Sequence, residues 1–240
     1  MTEDTRPRRK FLQQAMALVP ASTLAGGVAV TQTACSDEAE RTAAKPAQAY
    51  TPTYFTDVEW AFINAAVAHL IPSDQYGPGA IEAGVPEFID RQMETPFGHG
   101  KLWYMEGPFH SDVVPELGYQ LDLTPRDAYR HGIQACDAWC KEKHGNTYAE
   151  LDKAVQVQVL KDMQGGKLHF EAVPSATFFS FLLANTKEGF LSDPMHGGNK
   201  GMVGWKMVGF PGARGDFMDW TDQPNAKYPY GPVSIMGERG

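Results

Sequence analysis

Residues 174–189 read Pro-Ser-Ala-Thr-Phe-Phe-Ser-Phe-Leu-Leu-Ala-Asn-Thr-Lys-Glu-Gly, and we predict a helix over this stretch. Its large apolar residues leave little polar face: Phe178, Phe179, Phe181, Leu182 and Leu183. A helix without a polar face has to be covered on most sides. It therefore lies either in the core of the protein or against another protein.

The segments before this helix predict two more helices. Thr124-Pro125-Arg126-Asp127 supplies an N-cap, a proline at the first helical position and an acid in the first turn. One apolar face follows, made of Tyr129, Ile133, Cys136 and Cys140. The next helix is predicted from about Asp152 to Met163. It ends at Gly165-Gly166, because glycine readily adopts the left-handed cap conformation.

Two helices are predicted nearer the N-terminus. Thr56-Asp57-Val58-Glu59 has the form of a capping box, in which a hydroxyl and a carboxylate each satisfy a backbone N–H group. An apolar stripe with helical spacing follows before Pro72 ends the run: Trp60, Ile63, Val67 and Leu70. A shorter helix is predicted from about Pro86 to Met93.

Two segments are rich in glycine, proline and aromatic residues and show no clear periodicity. The first, residues 95–123, is termed the aromatic loop and includes Trp103, Tyr104 and Tyr119. Loops of this length in a compact domain usually have a function, such as covering a partner, so it is a candidate interface. The second begins at Ser192, where helix signals fade. The sequence thus predicts a mainly α protein, a single compact helical domain over residues 50–240 with long Gly/Pro/aromatic-rich loops.

The first 49 residues have the organisation of an export leader followed by a linker. A basic stretch precedes an uncharged, mildly apolar run over residues 15–30. The run is too short and too rich in Gly and Ala for a stable membrane span, and Pro20 interrupts it. The basic stretch resembles the twin-arginine export pattern through Arg8, Arg9, Phe11 and Leu12, although Pro7 stands where Ser or Thr is usual. We therefore expect a protein exported to the bacterial periplasm.

The three cysteines leave several alternatives open. Cys35 would be lipid-modified in a lipoprotein, but Gln32 stands where that signal needs an aliphatic residue. Cys136 and Cys140 could pair with each other or with a partner chain in an oxidising compartment. Their i,i+4 spacing makes an internal disulfide an unusual geometry, which favours buried free thiols. Ala47-Gln48-Ala49 has the small-x-small form of a peptidase site.

Charge and motifs exclude several classes of function. The formal net charge is -8, and the first 49 residues hold six Lys/Arg and five Asp/Glu, which leaves 15 basic and 24 acidic residues. Such a chain repels phosphate backbones, so nucleic-acid binding is not expected. It carries no dinucleotide fingerprint, phosphate-binding loop or Cys-x-x-Cys-His haem motif, and too few cysteines for an iron–sulfur cluster. We predict no catalytic, cofactor-binding or metal site.

Residues 193–212, termed the glycine-rich segment, are the most distinctive part of the chain. They read Asp-Pro-Met-His-Gly-Gly-Asn-Lys-Gly-Met-Val-Gly-Trp-Lys-Met-Val-Gly-Phe-Pro-Gly. Such a composition suits a backbone that turns tightly and is approached closely. The segment is either a closing loop that packs Trp205 and Phe210 into the core or a surface on which a partner docks.

The glycine-rich segment resembles the signature of the gluconate 2-dehydrogenase subunit 3 family. That family has Asp-Pro-x-Tyr-Gly-Gly-Asn, then Gly-Trp-Lys and Gly-Phe-Pro-Gly, and His196 replaces the usual Tyr. The matching residues are the candidate interface residues of this segment: Asp193, Pro194, Gly197, Gly198, Asn199, Gly204, Trp205, Lys206, Gly209, Phe210, Pro211 and Gly212. The similarity extends across the mature chain, from Phe55 to Ser234.

The resemblance implies a non-catalytic small subunit without a redox group of its own. Its partners would be a large glucose-methanol-choline (GMC)-type flavoprotein, which binds FAD and oxidises the substrate, and a membrane-bound multihaem cytochrome c. The twin-arginine route exports folded proteins, so the small subunit would carry the flavoprotein across the membrane. Family members also accompany flavoproteins that act on lactate or glycosides, so the substrate is open. One alternative is a free periplasmic ligand-binding or scaffolding protein, and another is a metal-dependent enzyme using His196 with Asp193 and Asp216.

Overall fold

The structure is a computed structural model that describes residues 50–110 and 113–240. In these ranges the chain forms six α-helices: α1 Asp57–Leu70, α2 Val85–Met93, α3 Pro125–His144, α4 Lys153–Gln164, α5 Ser175–Leu191 and α6 Val203–Val208. The same ranges contain isolated β-bridges but no named strand. The prediction of a mainly α protein is confirmed, and all five predicted helices form within a few residues of their expected bounds.

Helix α5 lies at the centre of the fold. It packs against α1, α2, α3, α4 and α6. Phe178 and Leu182 are fully buried, and the ring of Phe178 meets the rings of Phe62 on α1 and Tyr129 on α3 at centroid distances of 5.9 and 5.8 Å. The sequence placed this apolar helix either in the core or against another protein, and the structure shows it in the core of its own chain.

Helix α1 begins at the predicted capping box. Glu59 accepts the backbone N–H of Thr56 at 2.9 Å, and the Thr56 hydroxyl accepts the N–H of Glu59 at 3.4 Å. The buried face is centred on Phe62, Ile63, Ala66 and Val67. Of the predicted stripe, Ile63 and Val67 therefore lie on the buried face, whereas Trp60 and Leu70 lie at its edge and are only partly buried.

The remaining predicted helices end as their sequences indicate. The α3 face that includes Tyr129, Ile133, Cys136 and Cys140 is buried, and both cysteines are free. After α4 the chain adopts a positive φ of 64° at Gly166, as the paired glycines predict. The aromatic loop contains only one 3-10 turn, Pro115–Leu117, in its described part, so its interpretation as a loop is confirmed.

The prediction that helical structure ends near Ser192 is wrong. Beyond it lie α6 and the 3-10 turns Pro194–His196, Lys200–Met202 and Gly215–Trp220. Helix α6 is too short for a periodic pattern, and residues with positive φ, Met202 and Gly209, flank it. Its position depends on contacts with the end of α5, which local sequence does not reveal.

The predicted leader, with Arg8, Arg9, Phe11, Leu12 and Cys35, lies outside the described residues. No helix of the described chain combines the length and the apolar character needed to cross a membrane.

Candidate functional site

The aromatic loop packs its central rings against α5. Trp103 stacks on Phe181 at 5.7 Å, and Tyr119 meets both rings at 5.0 and 5.4 Å. The Tyr119 hydroxyl donates to the carbonyl of Leu123 at 2.8 Å. Burial, together with the charges of Asp127 and Asp122, raises the pKa of Tyr119 to about 12. Trp103 and Tyr119 therefore hold the loop in place as structural side chains.

Other side chains of the aromatic loop face solvent. Tyr104 is 81% exposed, and the apolar side chains of Leu102, Val114 and Leu117 are exposed as well. Of the three interface candidates in the aromatic loop, only Tyr104 is thus freely accessible.

Asn199 is the buried centre of the glycine-rich segment. Its side-chain N–H donates to the carbonyl of Ser192 at 2.8 Å, and its side-chain oxygen accepts the N–H of Gly204 at 2.8 Å. The residue is fully buried and has a left-handed backbone with φ 47°, a conformation that Asn tolerates better than most residues. Asn199 thereby joins the C-terminal end of α5 to the first turn of α6.

Two glycines of the segment let its backbone lie directly on α5. A Cβ at Gly198 would overlap the carbonyl oxygen of Gly189, and a Cβ at Gly204 would overlap the carbonyl oxygen of Phe190. Backbone atoms cannot move aside as a flexible side chain can, so these positions require glycine because of space.

Two charged residues of the segment, Asp193 and Lys200, bond to other parts of the chain. Asp193 accepts the N–H of Met195 at 3.1 Å and that of Ile235 at 2.8 Å, which ties the C-terminal tail to the end of α5. Lys200 forms an ion pair with Glu87, a buried residue of α2 that also pairs with Arg91. The segment therefore fastens α2, α5, α6 and the tail together.

The two aromatic residues of the segment have different environments. Trp205 is 6% exposed, and its indole N–H donates to the carbonyl of Leu191 at 2.7 Å. Phe210 packs edge-on against Trp205 at 5.1 Å but is 48% exposed. The expectation that a closing loop would pack both rings into the core is confirmed for Trp205 and wrong for Phe210. The chain turns at Gly209, which ends α6, and leaves Phe210 at the surface.

Exposed apolar side chains lie at the end of the glycine-rich segment and in the C-terminal tail. We term Met207, Val208, Phe210 and Tyr230 the outer patch; Val208 is 62% and Tyr230 56% exposed. Phe210 and Tyr230 line one surface cleft, and Lys206 contributes to its wall. Phe210 and Tyr230 thus lie together, and large apolar side chains that share an exposed cleft are typical of an interaction site.

A family model described as gluconate 2-dehydrogenase subunit 3 matches residues 57–212. This chain belongs to the gluconate 2-dehydrogenase subunit 3 family. Neither a curated protein nor a solved structure matches it significantly. The matched range begins with α1 and ends at Gly212, so the subunit 3 match contains all six helices and the whole glycine-rich segment.

His196, where this subunit 3 chain departs from the family pattern, lies on the surface. It borders a shallow groove between α2 and α5 that is lined by Phe88, Gln92, Lys187, Glu188 and Leu191. Asp193 is engaged by two backbone amides, and Asp216 pairs with Arg214 at 3.0 Å. Among the described residues, no three His, Cys, Asp or Glu side chains come together in a group that could hold a metal ion.

A structural residue that the sequence did not single out is Asp90, at the end of α2. This buried carboxylate accepts hydrogen bonds from the backbone N–H groups of Thr53, Tyr54 and Phe55 at 2.7, 3.1 and 2.9 Å, and from the Tyr50 hydroxyl at 2.7 Å. It fixes the start of the domain onto the helical core of this subunit 3 chain. The hydrogen-bond partners of Asp90 are 35–40 residues away in sequence, so no local motif predicts them.

Proposed function

We propose that this chain is the non-catalytic small subunit of a periplasmic, FAD-dependent dehydrogenase complex that oxidises a sugar or a sugar acid. A GMC-type flavoprotein of the complex binds FAD and substrate, and a multihaem cytochrome c accepts the electrons and holds the complex at the membrane. The small subunit supports export, maturation and stability of the flavoprotein.

The division of the glycine-rich segment into two sides carries this proposal. Three of its polar side chains, those of Asp193, Asn199 and Lys200, bond within the chain. The apolar side chains beside them form the exposed outer patch. A rigidly fastened, apolar surface suits docking to a protein, because little conformational freedom is lost on binding. The outer patch is the surface on which the flavoprotein docks.

The leader supports the export part of the proposal. Arg8 and Arg9 with Phe11 and Leu12 resemble the signal of a route that moves folded proteins. A small subunit bound to a folded, FAD-loaded flavoprotein would take it across the membrane, which explains why a chain without a cofactor uses this route.

Export is tested by expressing the flavoprotein with this chain, without it, and with an Arg8→Lys/Arg9→Lys double variant. We expect FAD-dependent dehydrogenase activity in the periplasm only with the wild-type chain. Activity that reaches the periplasm equally well without the chain would contradict the proposal. A chain that is exported but recovers no flavoprotein on affinity purification would instead favour the free ligand-binding or scaffolding protein.

Docking through the outer patch predicts a specific pattern of binding defects. Tyr230→Ser and Val208→Ser are each expected to weaken flavoprotein binding by at least about tenfold, or about 1.4 kcal/mol, because each removes a large apolar contact. Both side chains are more than half exposed, so the melting temperature of the isolated chain should hardly change. Surface plasmon resonance and thermal unfolding measure the two effects.

Tyr104→Ser is the matched control, since it removes the same side chain as Tyr230→Ser from the other candidate surface. We expect nearly unchanged binding from this variant. If Tyr104→Ser weakens binding and the outer-patch variants do not, the flavoprotein docks on the aromatic loop and our assignment of the surface is wrong.

A further inference from the structure

Two thiols lie one helical turn apart inside the core. Cys136 and Cys140 on α3 are fully buried and free. Beside them is Tyr148, whose buried hydroxyl has no hydrogen-bond partner in the part of the chain that the structure describes. Burial and the two neighbouring thiols raise the pKa of Tyr148. Asp137, in the same turn of α3 as the two cysteines, accepts the backbone N–H of Tyr148 at 2.9 Å.

The helix prevents these thiols from forming a disulfide. Residues four apart on a helix have Cβ atoms about 5–6 Å apart, whereas a disulfide needs about 3.5–4.5 Å. Closing the bond would require α3 to unwind at this turn and would displace Tyr148 from Asp137. An unfolded chain has no such constraint, and closing so short a loop costs little entropy. The disulfide and the native α3 therefore exclude each other.

We infer that the chain has to complete its fold while Cys136 and Cys140 are reduced, and that the fold then protects both thiols from an oxidising compartment. The inference deepens the proposed function, because it gives this chain a chemical reason to be exported only after folding. It rests on the periplasmic location proposed above, although its chemistry can be tested without any partner.

The chemistry is ordinary thiol–disulfide exchange. In an unfolded chain, one cysteine thiolate attacks the disulfide of an oxidant such as oxidised glutathione, and the second cysteine then displaces the bound half. The chain loses two electrons and two protons, and the oxidant becomes two thiols. In the folded chain both cysteines are fully buried, so a dissolved disulfide cannot reach either thiol.

Refolding under two redox conditions tests the inference. The full chain carrying Cys35→Ala, which removes the third thiol, is unfolded in guanidinium chloride and diluted into reduced or oxidised glutathione. We expect the helical circular dichroism signal to return in reduced glutathione. In oxidised glutathione we expect a recovered signal that is lower by roughly fivefold or more. Mass spectrometry after alkylation should find a Cys136–Cys140 disulfide only in the oxidised sample.

The matched control adds Cys136→Ala and Cys140→Ala and should refold equally in both buffers. A second measurement does not require refolding: the natively folded Cys35→Ala chain, incubated in oxidised glutathione, should keep both thiols reduced. The inference is overturned if the Cys35→Ala chain regains its helical signal with the disulfide formed, or if its folded thiols oxidise as fast as those of the unfolded chain. If both measurements give the expected results but the chain recovers no flavoprotein on affinity purification, the proposed function is wrong and the inference about the thiols still holds.

Discussion

Replacing Gly204 by alanine is expected to lower the free energy of unfolding by about 3 kcal/mol or more, and the melting temperature by roughly 6–12 °C. The new Cβ would overlap the carbonyl oxygen of Phe190 at the end of α5. Neither backbone can yield alone, so α6 has to move away. The hydrogen bonds from Gly204 to Asn199 and from Trp205 to Leu191 would then be lost. Urea denaturation followed by circular dichroism measures the effect.

Gly215→Ala provides the control for this substitution. Gly215 has no positive φ, and a Cβ there would meet no atom within 4 Å. We expect its stability to stay within about 0.5 kcal/mol of the wild type. Similar stabilities for the two variants would show that the close approach of α6 to α5 does not contribute to the fold.

The expected result for Gly204 separates two roles of the glycine-rich segment. Gly204→Ala should reduce both stability and flavoprotein binding, because the outer patch is held in place by α6. Tyr230→Ser should reduce binding alone. The Asp, Asn and Gly positions of the family pattern serve closure of the fold, and we propose that the exposed side chains beside them serve docking.

The sequence predicted the helices well because their signals are local. The Thr56 capping box, the proline at position 125 and the glycines after α4 each act within one turn of the helix that they begin or end. The apolar composition of α5 predicted burial correctly. It could not distinguish core from partner, since both environments cover an apolar helix.

The candidate site was predicted less completely because its contacts are distant in sequence. The pattern of residues 193–212 indicated a tightly turned backbone but not that α5 would be its support. The exposure of Phe210 depends on Gly209 and on the tail near Tyr230, and both residues line the same cleft. Asp90 shows the same limit, since its partners are 35–40 residues away.

Asp90→Asn is expected to lower the free energy of unfolding by about 3 kcal/mol at pH 7. The substitution preserves volume but replaces one carboxylate oxygen with an N–H donor. This donor would face the backbone N–H of Thr53 if it takes the place of Oδ2, or those of Tyr54 and Phe55 if it takes the place of Oδ1. Buried donors would be left without acceptors, and the segment that begins at Tyr50 would detach from α2. Asp222→Asn, at an exposed position, is the control and should leave stability unchanged.

The pH dependence of this difference identifies the charge as the cause. Burial alone would raise the pKa of Asp90, but the hydrogen bonds from Thr53, Phe55 and Tyr50 outweigh it and hold the pKa below its usual value. A carboxyl group with a lowered pKa in the folded state contributes stability that is fully present above its unfolded pKa, about 3.9, and is lost as the pH falls through the folded pKa. The stability gap between wild type and Asp90→Asn should therefore be largest near neutral pH and narrow below about pH 4. Urea titrations from pH 7 to pH 3 that show a constant gap would mean that Asp90 acts through its shape and not through its charge.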